Sequence, residues 1–84
     1  MNKKQRQTLE KIFKRPDCSD IPWANVESLF LSLGAEISEG RGSRVRVALN
    51  ETRAVFHRPH PDRVINKEAV KSVRRFLREA GVNL

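Results

Sequence analysis

The stretch that decides the fold is residues 44–57, RVRVALNETRAVFH. Its first half alternates apolar side chains with arginine or alanine, which is the period of a β-strand with one solvent-facing side. Asn50-Glu51 in the middle is typical of a tight turn. After the turn, Thr52 to Arg58 alternates again, with Ala54 and Phe56 on one side and Arg53, Val55 and His57 on the other. The sequence therefore predicts an antiparallel hairpin with one apolar face and one cationic face.

Upstream of the hairpin, a short candidate strand around Ile37 is joined to it by the Gly40-Arg41-Gly42-Ser43 turn. Together these segments predict a three-stranded antiparallel meander. Before the meander, apolar residues recur at helical spacing on one face: Trp23, Val26, Leu29, Phe30 and Leu33. Asp20 is the expected cap of this helix, Pro22 falls in its first turn, and Gly34 is its expected end.

Two more helices flank these elements. Apolar residues in a Lys/Arg/Gln-rich background predict a first helix from about Lys3 to Lys14, halted by Pro16. After the hairpin, the stiff loop Pro59-His60-Pro61-Asp62-Arg63 leads to a last helix that begins near Asn66 and ends at Gly81. The order α-α-β-β-β-α predicts an α+β fold, a small three-stranded antiparallel sheet with helices packed on one face. Its α-β-β-β-α part resembles the double-stranded-RNA-binding topology, which reads phosphates and 2′-hydroxyls by shape.

Composition limits the function. The chain has 84 residues, of which 38% are apolar, and this predicts a single domain over residues 1–84. Lys and Arg number 17 against 10 Asp and Glu, so the net charge of +7 indicates an anionic partner. No apolar run approaches the roughly 20 residues of a membrane helix, and no secretory segment is expected. The lone Cys18 cannot form an internal disulfide, which favours a cytoplasmic setting.

The positive charge is concentrated in arginine. Between Arg41 and Arg63 there are six arginines, no lysines and only two acids. The planar fork of a guanidinium can bind a phosphate bidentately, whereas lysine offers only a flexible point charge. The candidate RNA-binding residues lie in this region and on the last helix: Arg41, Gly42, Ser43, Arg46, Arg58, Lys71, Arg74 and Arg78. The alternative is a solvated face whose arginine stems cover apolar strand surface.

The two histidines of the chain, His57 and His60, lie at the end of the arginine-rich strand and in the loop after it. RNA cleavage without a metal needs a base for the 2′-hydroxyl proton, an acid for the departing 5′-oxygen, and a cation near the phosphorane. Histidine and arginine are suitable residue types for these roles. The alternative is that both histidines are ordinary strand and turn residues. Neither belongs to a recognised ligand spacing and the carboxylates are scattered, so no metal and no cofactor are expected.

Several motifs in this order resemble the HicA family of small bacterial toxins. They cover most of the chain: Val26-Glu27-Ser28-Leu29-Phe30 leading to Gly34-Ala35-Glu36, the Gly40-Arg41-Gly42-Ser43 turn entering a strand, Pro59-His60-Pro61, and the closing basic helix with Gly81. The resemblance implies a double-stranded-RNA-binding-like fold and metal-independent cleavage of translated mRNA. It also implies a HicB-like antitoxin as the partner that holds the toxin inactive.

At one position the sequence departs from the family pattern. The resemblance implies a catalytic histidine directly after the Gly-Ser turn, and here Gly42-Ser43 is followed by Arg44. Arginine cannot serve as a proton-transfer base at neutral pH, because its pKa exceeds about 12. Two explanations stay open. Either the histidine role has moved to His57 or His60, with Arg44 stabilising the phosphorane, or catalysis is weak or lost.

The sequence therefore predicts a HicA-like toxin that binds mRNA through its arginines and cleaves it with His57 or His60. A second hypothesis is a non-catalytic RNA-binding module of the same fold. A third hypothesis places the last helix in the major groove of DNA, although that helix offers few base-reading Asn or Gln side chains.

Overall fold

A computed structural model describes all residues from 1 to 84. It contains three helices and five strands in the order α1 (Lys3–Phe13), β1 (Ile21–Pro22), α2 (Trp23–Ser32), β2 (Glu36–Glu39), β3 (Arg44–Leu49), β4 (Thr52–His57), β5 (Val64–Ile65) and α3 (Lys67–Glu79). Strands β2, β3 and β4 form one antiparallel sheet in that order. The predicted α+β class and three-stranded meander are thus confirmed. None of the helices has the length and apolar character needed to cross a membrane.

The β3–β4 hairpin closes through a two-residue turn. Asn50 and Glu51 have φ angles of 48° and 67°, so both central residues are left-handed. This is the condition for a type I′ turn, whose twist matches that of the flanking strands. The turn fixes the pairing of the two strands, with Leu49 opposite Thr52 and Arg44 opposite His57. The Asn50 side chain also donates to the Ala80 carbonyl oxygen at 2.9 Å, tying the turn to the end of α3.

Aromatic rings join the helices to one face of the sheet. Phe30 of α2 stacks on Phe56 of β4 at a centroid distance of 5.7 Å, and Phe76 of α3 meets Phe56 edge-on at 5.7 Å. Phe30 and Phe76 contact each other at 5.6 Å. Since α2 and α3 pack through the same strand residue, both helices cover the same face of the sheet. The prediction that the helices lie on one face is confirmed.

Helix α2 begins differently from the prediction. Its N-cap is Pro22, which makes no side-chain cap hydrogen bond, and Asp20 stands outside the helix with a φ of 63°. The reason is a two-stranded pairing of β1 with β5. The Asp20 N–H donates to the Ile65 carbonyl at 3.2 Å, and the Trp23 N–H donates to the Arg63 carbonyl at 2.9 Å. The neighbouring strand therefore satisfies backbone groups that a cap would otherwise satisfy. Asp20 as cap and Pro22 within the first turn were both wrong.

The ends of α2 and α3 agree with the sequence. Gly34 follows the last residues of α2 with a φ of 91°, a conformation that glycine adopts without steric cost. Helix α3 starts at the N-cap Asn66, whose side chain accepts from the Ala69 N–H at 2.9 Å. The helix ends at Glu79, two residues before Gly81.

Helix α1 packs mainly against α2 and α3 rather than against the sheet. Ile12 of α1 is fully buried, and Gln5 donates to the Ser28 hydroxyl of α2 at 2.9 Å. The chain thus has three layers, with the sheet, then α2 and α3, then α1.

A buried arginine holds the connector after α1 onto α3. The Arg74 side chain is only 4% exposed, its Nε donates to the Ile12 carbonyl at 2.7 Å, and its Nη2 donates to the Asp17 carboxylate. The hydrogen bond from Arg74 holds the pKa of Asp17 below its usual value. This ion pair fixes the path of the chain between α1 and β1.

The aromatic core predicts a large cost for Phe30→Ala. We expect a loss of about 3–5 kcal/mol in the free energy of unfolding, because the side chain is fully buried. A domain of this size has only about 4–13 kcal/mol in total. The next residue is the control, because Leu31 is 60% exposed and Leu31→Ala should change the value by less than about 0.5 kcal/mol. Urea unfolding followed by circular dichroism gives both values, and similar losses in the two variants would contradict this packing.

The Asp17–Arg74 ion pair predicts a pH-dependent stability. Because the pKa of Asp17 is lowered in the folded state, its contribution is complete above the pKa of an unfolded aspartate, about 3.9. The contribution is lost as the pH falls through the lower folded pKa. Wild type should therefore be more stable than Asp17→Asn at pH 7, and the difference should shrink below about pH 4. Urea midpoints measured from pH 7 to pH 2.5 test this, and a difference independent of pH would overturn it.

Candidate functional site

The face of the sheet opposite the helices carries exposed cations. Along β3 and β4 the residues pointing away from the core are Arg44, Arg46, Ala48, Arg53, Val55 and His57. The three arginines and the histidine are all exposed. We call this surface the open face. Its cationic character follows directly from the alternation of residue types in the hairpin.

Arg44 and His57 are direct neighbours across the two strands. They are register partners, and just beyond them the Arg58 N–H donates to the Ser43 carbonyl at 2.9 Å. Pairs that exchange such hydrogen bonds alternate with pairs that do not. Arg44 and His57 therefore form a non-hydrogen-bonded pair, the kind with Cα atoms only about 4.5 Å apart and side chains close together. A guanidinium and an imidazole thus lie side by side on the open face.

A cleft of about 480 Å³ lies where β4 ends, between the loop after it and the start of α3. Its polar lining consists of His57, Arg58, His60, Asp62, Asn66 and Ser72. The structure therefore brings the two histidines of the chain, His57 and His60, to one cleft. Imidazole is the side chain that most often transfers protons in acid–base catalysis.

Arg58 is an anchor rather than a free cation. Its Nε donates to Glu27 of α2 at 2.9 Å, and its Nη1 donates to Glu39 of β2 at 2.6 Å. The hydrogen bonds to these two carboxylates raise the pKa of the Arg58 guanidinium, and Glu39 has the larger effect. The Trp23 indole N–H donates to the same Glu27 oxygen. Arg58 thus ties the end of β4 to α2 and β2, and its Nε and Nη1 donors are occupied in this structure.

The turn before Arg44 is exposed. Arg41, Gly42 and Ser43 are all solvent-accessible, and Gly42 has a φ of 61°. The turn is closed by the Gly40 N–H, which donates to the Arg44 carbonyl at 2.9 Å. A Cβ at Gly40 would come within 3.0 Å of the Arg44 Cβ, so a side chain there would push against Arg44. The turn therefore sets the position of Arg44 at the rim of the open face.

The basic residues of α3 lie elsewhere. Because α3 covers the inner face of the sheet, its solvent side is separated from the open face by the core. Lys71 and Arg78 are exposed on that side, whereas Arg74 is buried and paired with Asp17. The sequence grouped these residues with Arg44 and Arg46 into one cationic surface. The structure divides them into two surfaces and removes Arg58 and Arg74 from the free cations.

Sequence reasoning missed several residues of the site. Glu27 and Glu39 were not connected with Arg58, because they are 31 and 19 positions away in the chain and no local pattern joins them. Asp62 and Asn66 were assigned to a loop and a helix start, without a place in the cleft. No three of the His, Cys, Asp and Glu side chains come together in a group that could hold a metal ion.

The fold and the charge define a small cationic α+β domain with an arginine–histidine pair on its polar sheet face. Residues 23–82 match the family model described as HicA toxin of bacterial toxin-antitoxin. The match spans more than two thirds of the chain, from the start of α2 to just beyond α3, and the chain therefore belongs to the HicA toxin family. Helix α1 and the connector after it lie outside the matched residues. Comparison with curated proteins and with solved structures finds no match.

The occupied state of Arg58 predicts different effects for two arginines of the hairpin. Arg46 is exposed and has no ion-pair partner, whereas Arg58 is held by two carboxylates. Arg46→Gln should therefore elute from heparin at clearly lower salt than wild type, and Arg58→Gln should shift much less. Circular dichroism checks that both variants are folded. Equal shifts for two folded variants would show that Arg58 is available to a polyanion.

Proposed function

We propose that this toxin binds mRNA on the open face and cleaves it by metal-independent acid–base chemistry. One observation carries the proposal, namely that His57 lies directly opposite Arg44 in the sheet and also lines one cleft with His60. Arg41, Gly42, Ser43 and Arg46 surround this pair and supply further contacts to the RNA backbone. In the proposed site, cation and proton-transfer groups can therefore reach one phosphodiester.

The reaction proceeds through the RNA's own 2′-hydroxyl. One histidine, in its neutral form, accepts the 2′-hydroxyl proton while that oxygen attacks the adjacent phosphorus. The bond from phosphorus to the 5′-oxygen breaks, and the other histidine, in its protonated form, gives that oxygen a proton. The products are a 2′,3′-cyclic phosphate and a 5′-hydroxyl. Single variants of His57 and His60 decide which histidine acts as the base and which as the acid.

Arg44 has the electrostatic role in this scheme. It occupies the place after the Gly-Ser turn where the family resemblance implies a catalytic histidine, and a guanidinium cannot accept a proton at neutral pH. Its register partner His57, on the neighbouring strand, carries an imidazole, which is a side chain that can accept a proton. The proton-transfer group has thus moved one strand across, and Arg44 stabilises the negative charge that develops on the phosphorane.

A HicB-like antitoxin is the proposed protein partner. Acidic residues of such a partner would complement the cations of the open face, and this complementarity directs and speeds docking. The reaction as written needs no cofactor. The second function that a specific observation favours is RNA binding without cleavage, because Arg44 replaces the expected histidine.

Cleavage of a long mRNA in EDTA tests the proposal. We expect fragments with wild type and at least a hundredfold slower cleavage with His57→Ala/His60→Ala, since general acid–base groups contribute about 10²–10⁴-fold. RNA that carries 2′-O-methyl groups should stay intact, because the attacking hydroxyl is blocked. Each single variant is run alongside to divide the roles.

The double variant also controls for contaminating ribonuclease, because both proteins are purified in the same way. Equal cleavage by wild type and the double variant would refute the assignment of the histidines. RNA that is retarded in a gel by wild type but never cut would instead establish the non-catalytic function.

A further inference from the structure

A second cationic surface lies on the helical side of the molecule. A groove of about 370 Å³ runs between the end of α1 and the solvent side of α3, and no hydrophobic residue lines it. Its six lining residues are Arg15, Lys71, Arg74, Arg75, Arg78 and Glu79. We call it the helical groove. It shares no lining residue with the cleft that holds His57 and His60, so it is distinct from the proposed cleavage site.

The segment outside the family match holds two of these arginines in place. Arg74, at the base of the groove, is fixed by the Ile12 carbonyl and by Asp17. The Arg78 guanidinium lies over the Phe13 ring at 5.5 Å from the centroid. Three residues of α1 and the connector therefore orient the arginines of α3. Arg74 forms the base of the groove, and Arg78 is the exposed one of the two. A cation that is already oriented, as Arg78 is, loses less entropy when it binds an anion.

The groove keeps a positive excess after its internal pairs are counted. Five cations line it, and three acids pair with them. Asp17 lies beneath Arg74 and 4.0 Å from the Lys71 Nζ, Glu68 lies 3.6 Å from the Lys71 Nζ, and Glu79 lies beside Arg75. Arg75 and Glu79 approach to only 3.6 Å on an exposed helix surface, where the Arg75 side chain is 81% accessible. Such exposed pairs are weak and exchange readily with other partners. The exposed guanidinium groups of Arg15, Arg75 and Arg78 are therefore available to an external anion, whereas Arg74 is buried and remains paired with Asp17.

The lining indicates what kind of anion fits. Protein interfaces have an apolar or aromatic core, and the helical groove has no apolar residue to form one. Binding of unpaired bases uses exposed aromatic rings, which the lining also lacks. A phosphodiester backbone needs only cations at suitable spacing, and it is recognised without regard to sequence.

We infer that the helical groove is a second nucleic-acid site that binds phosphodiester backbone without taking part in cleavage. This site is built jointly by the N-terminal segment and α3, so it goes beyond the function proposed for the open face. It acts as an anchor for a polynucleotide outside the cleft that His57 and His60 line. A variant without nuclease activity would keep this binding site, because the groove takes no part in cleavage.

The salt dependence of binding tests the inference. The variant Arg15→Gln/Arg75→Gln removes two exposed groove cations, and the control Lys3→Gln/Arg6→Gln removes two exposed cations at the opposite end of α1. Fluorescence anisotropy is measured with a labelled 2′-O-methyl RNA and with DNA of the same sequence. Neither probe can be cleaved through a 2′-hydroxyl, so the result does not depend on the proposed nuclease activity.

We expect the groove variant to lower the slope of log K against log salt by about 1.4, at about 0.7 per single-strand phosphate contact. Between 50 and 200 mM salt, wild type would then lose about sevenfold more affinity than the groove variant. The control should keep the wild-type slope. A lower slope with both probes supports recognition of the backbone that RNA and DNA share. A lower slope with the RNA probe alone supports an RNA-specific groove.

An unchanged slope in the groove variant would overturn the inference. An equal change in the control would also overturn it, because net charge rather than the groove would then explain the effect. Thermal unfolding confirms that each variant is folded. If the double variant is unstable, Arg75→Gln alone replaces it, because the Arg75 side chain is 81% exposed. The loss of this one cation should lower the slope by about 0.7.

Discussion

The register of the β3–β4 hairpin is the constraint on which the rest of the structure depends. Two left-handed residues at the turn fix it, and a slip of one residue would exchange the two faces of a strand. Such a slip would carry Arg44 and Arg46 into the core and bring Val45 to the surface. The same register places Phe56 under the helices and His57 beside Arg44. Fold and candidate site thus rest on one local geometry.

Two arginines show how a count of charges overstates a binding surface. Arg58 is held by Glu27 and Glu39, and Arg74 is held inside the protein by Asp17. Both arginines connect elements that are distant in sequence. Because carboxylates of the same chain already pair with them, they add little to a surface that binds an external anion. Among the other arginines, Arg44, Arg46 and Arg53 lie on the open face, whereas Arg15, Arg75 and Arg78 line the helical groove. The sequence presents these as one charge cluster, but the three-dimensional arrangement makes them two separate surfaces.

Much of the fold could be predicted because its signals are local. The alternation in residues 44–57, the turn residues and Gly34 each report the backbone conformation at their own position. The β1–β5 pairing could not be predicted, since two-residue strands are too short to show a period. For the same reason the sequence predicts Asp20 as a helix cap, whereas in the structure its N–H donates to the Ile65 carbonyl. Part of the site was accessible in principle, because counting outward from the Asn50-Glu51 turn pairs Arg44 with His57. The carboxylate partners of the arginines depend on tertiary packing and leave no trace in local sequence.

The central claim is that Arg44 and His57 act on one phosphate from neighbouring strands. A double-mutant cycle on RNA cleavage tests it most directly, with Arg44→Gln, His57→Gln and the double variant measured against wild type. If both side chains serve one transition state, the double variant should cleave about as slowly as the slower single variant. Losses that simply multiply, or a His57→Gln variant as active as wild type, would contradict the account.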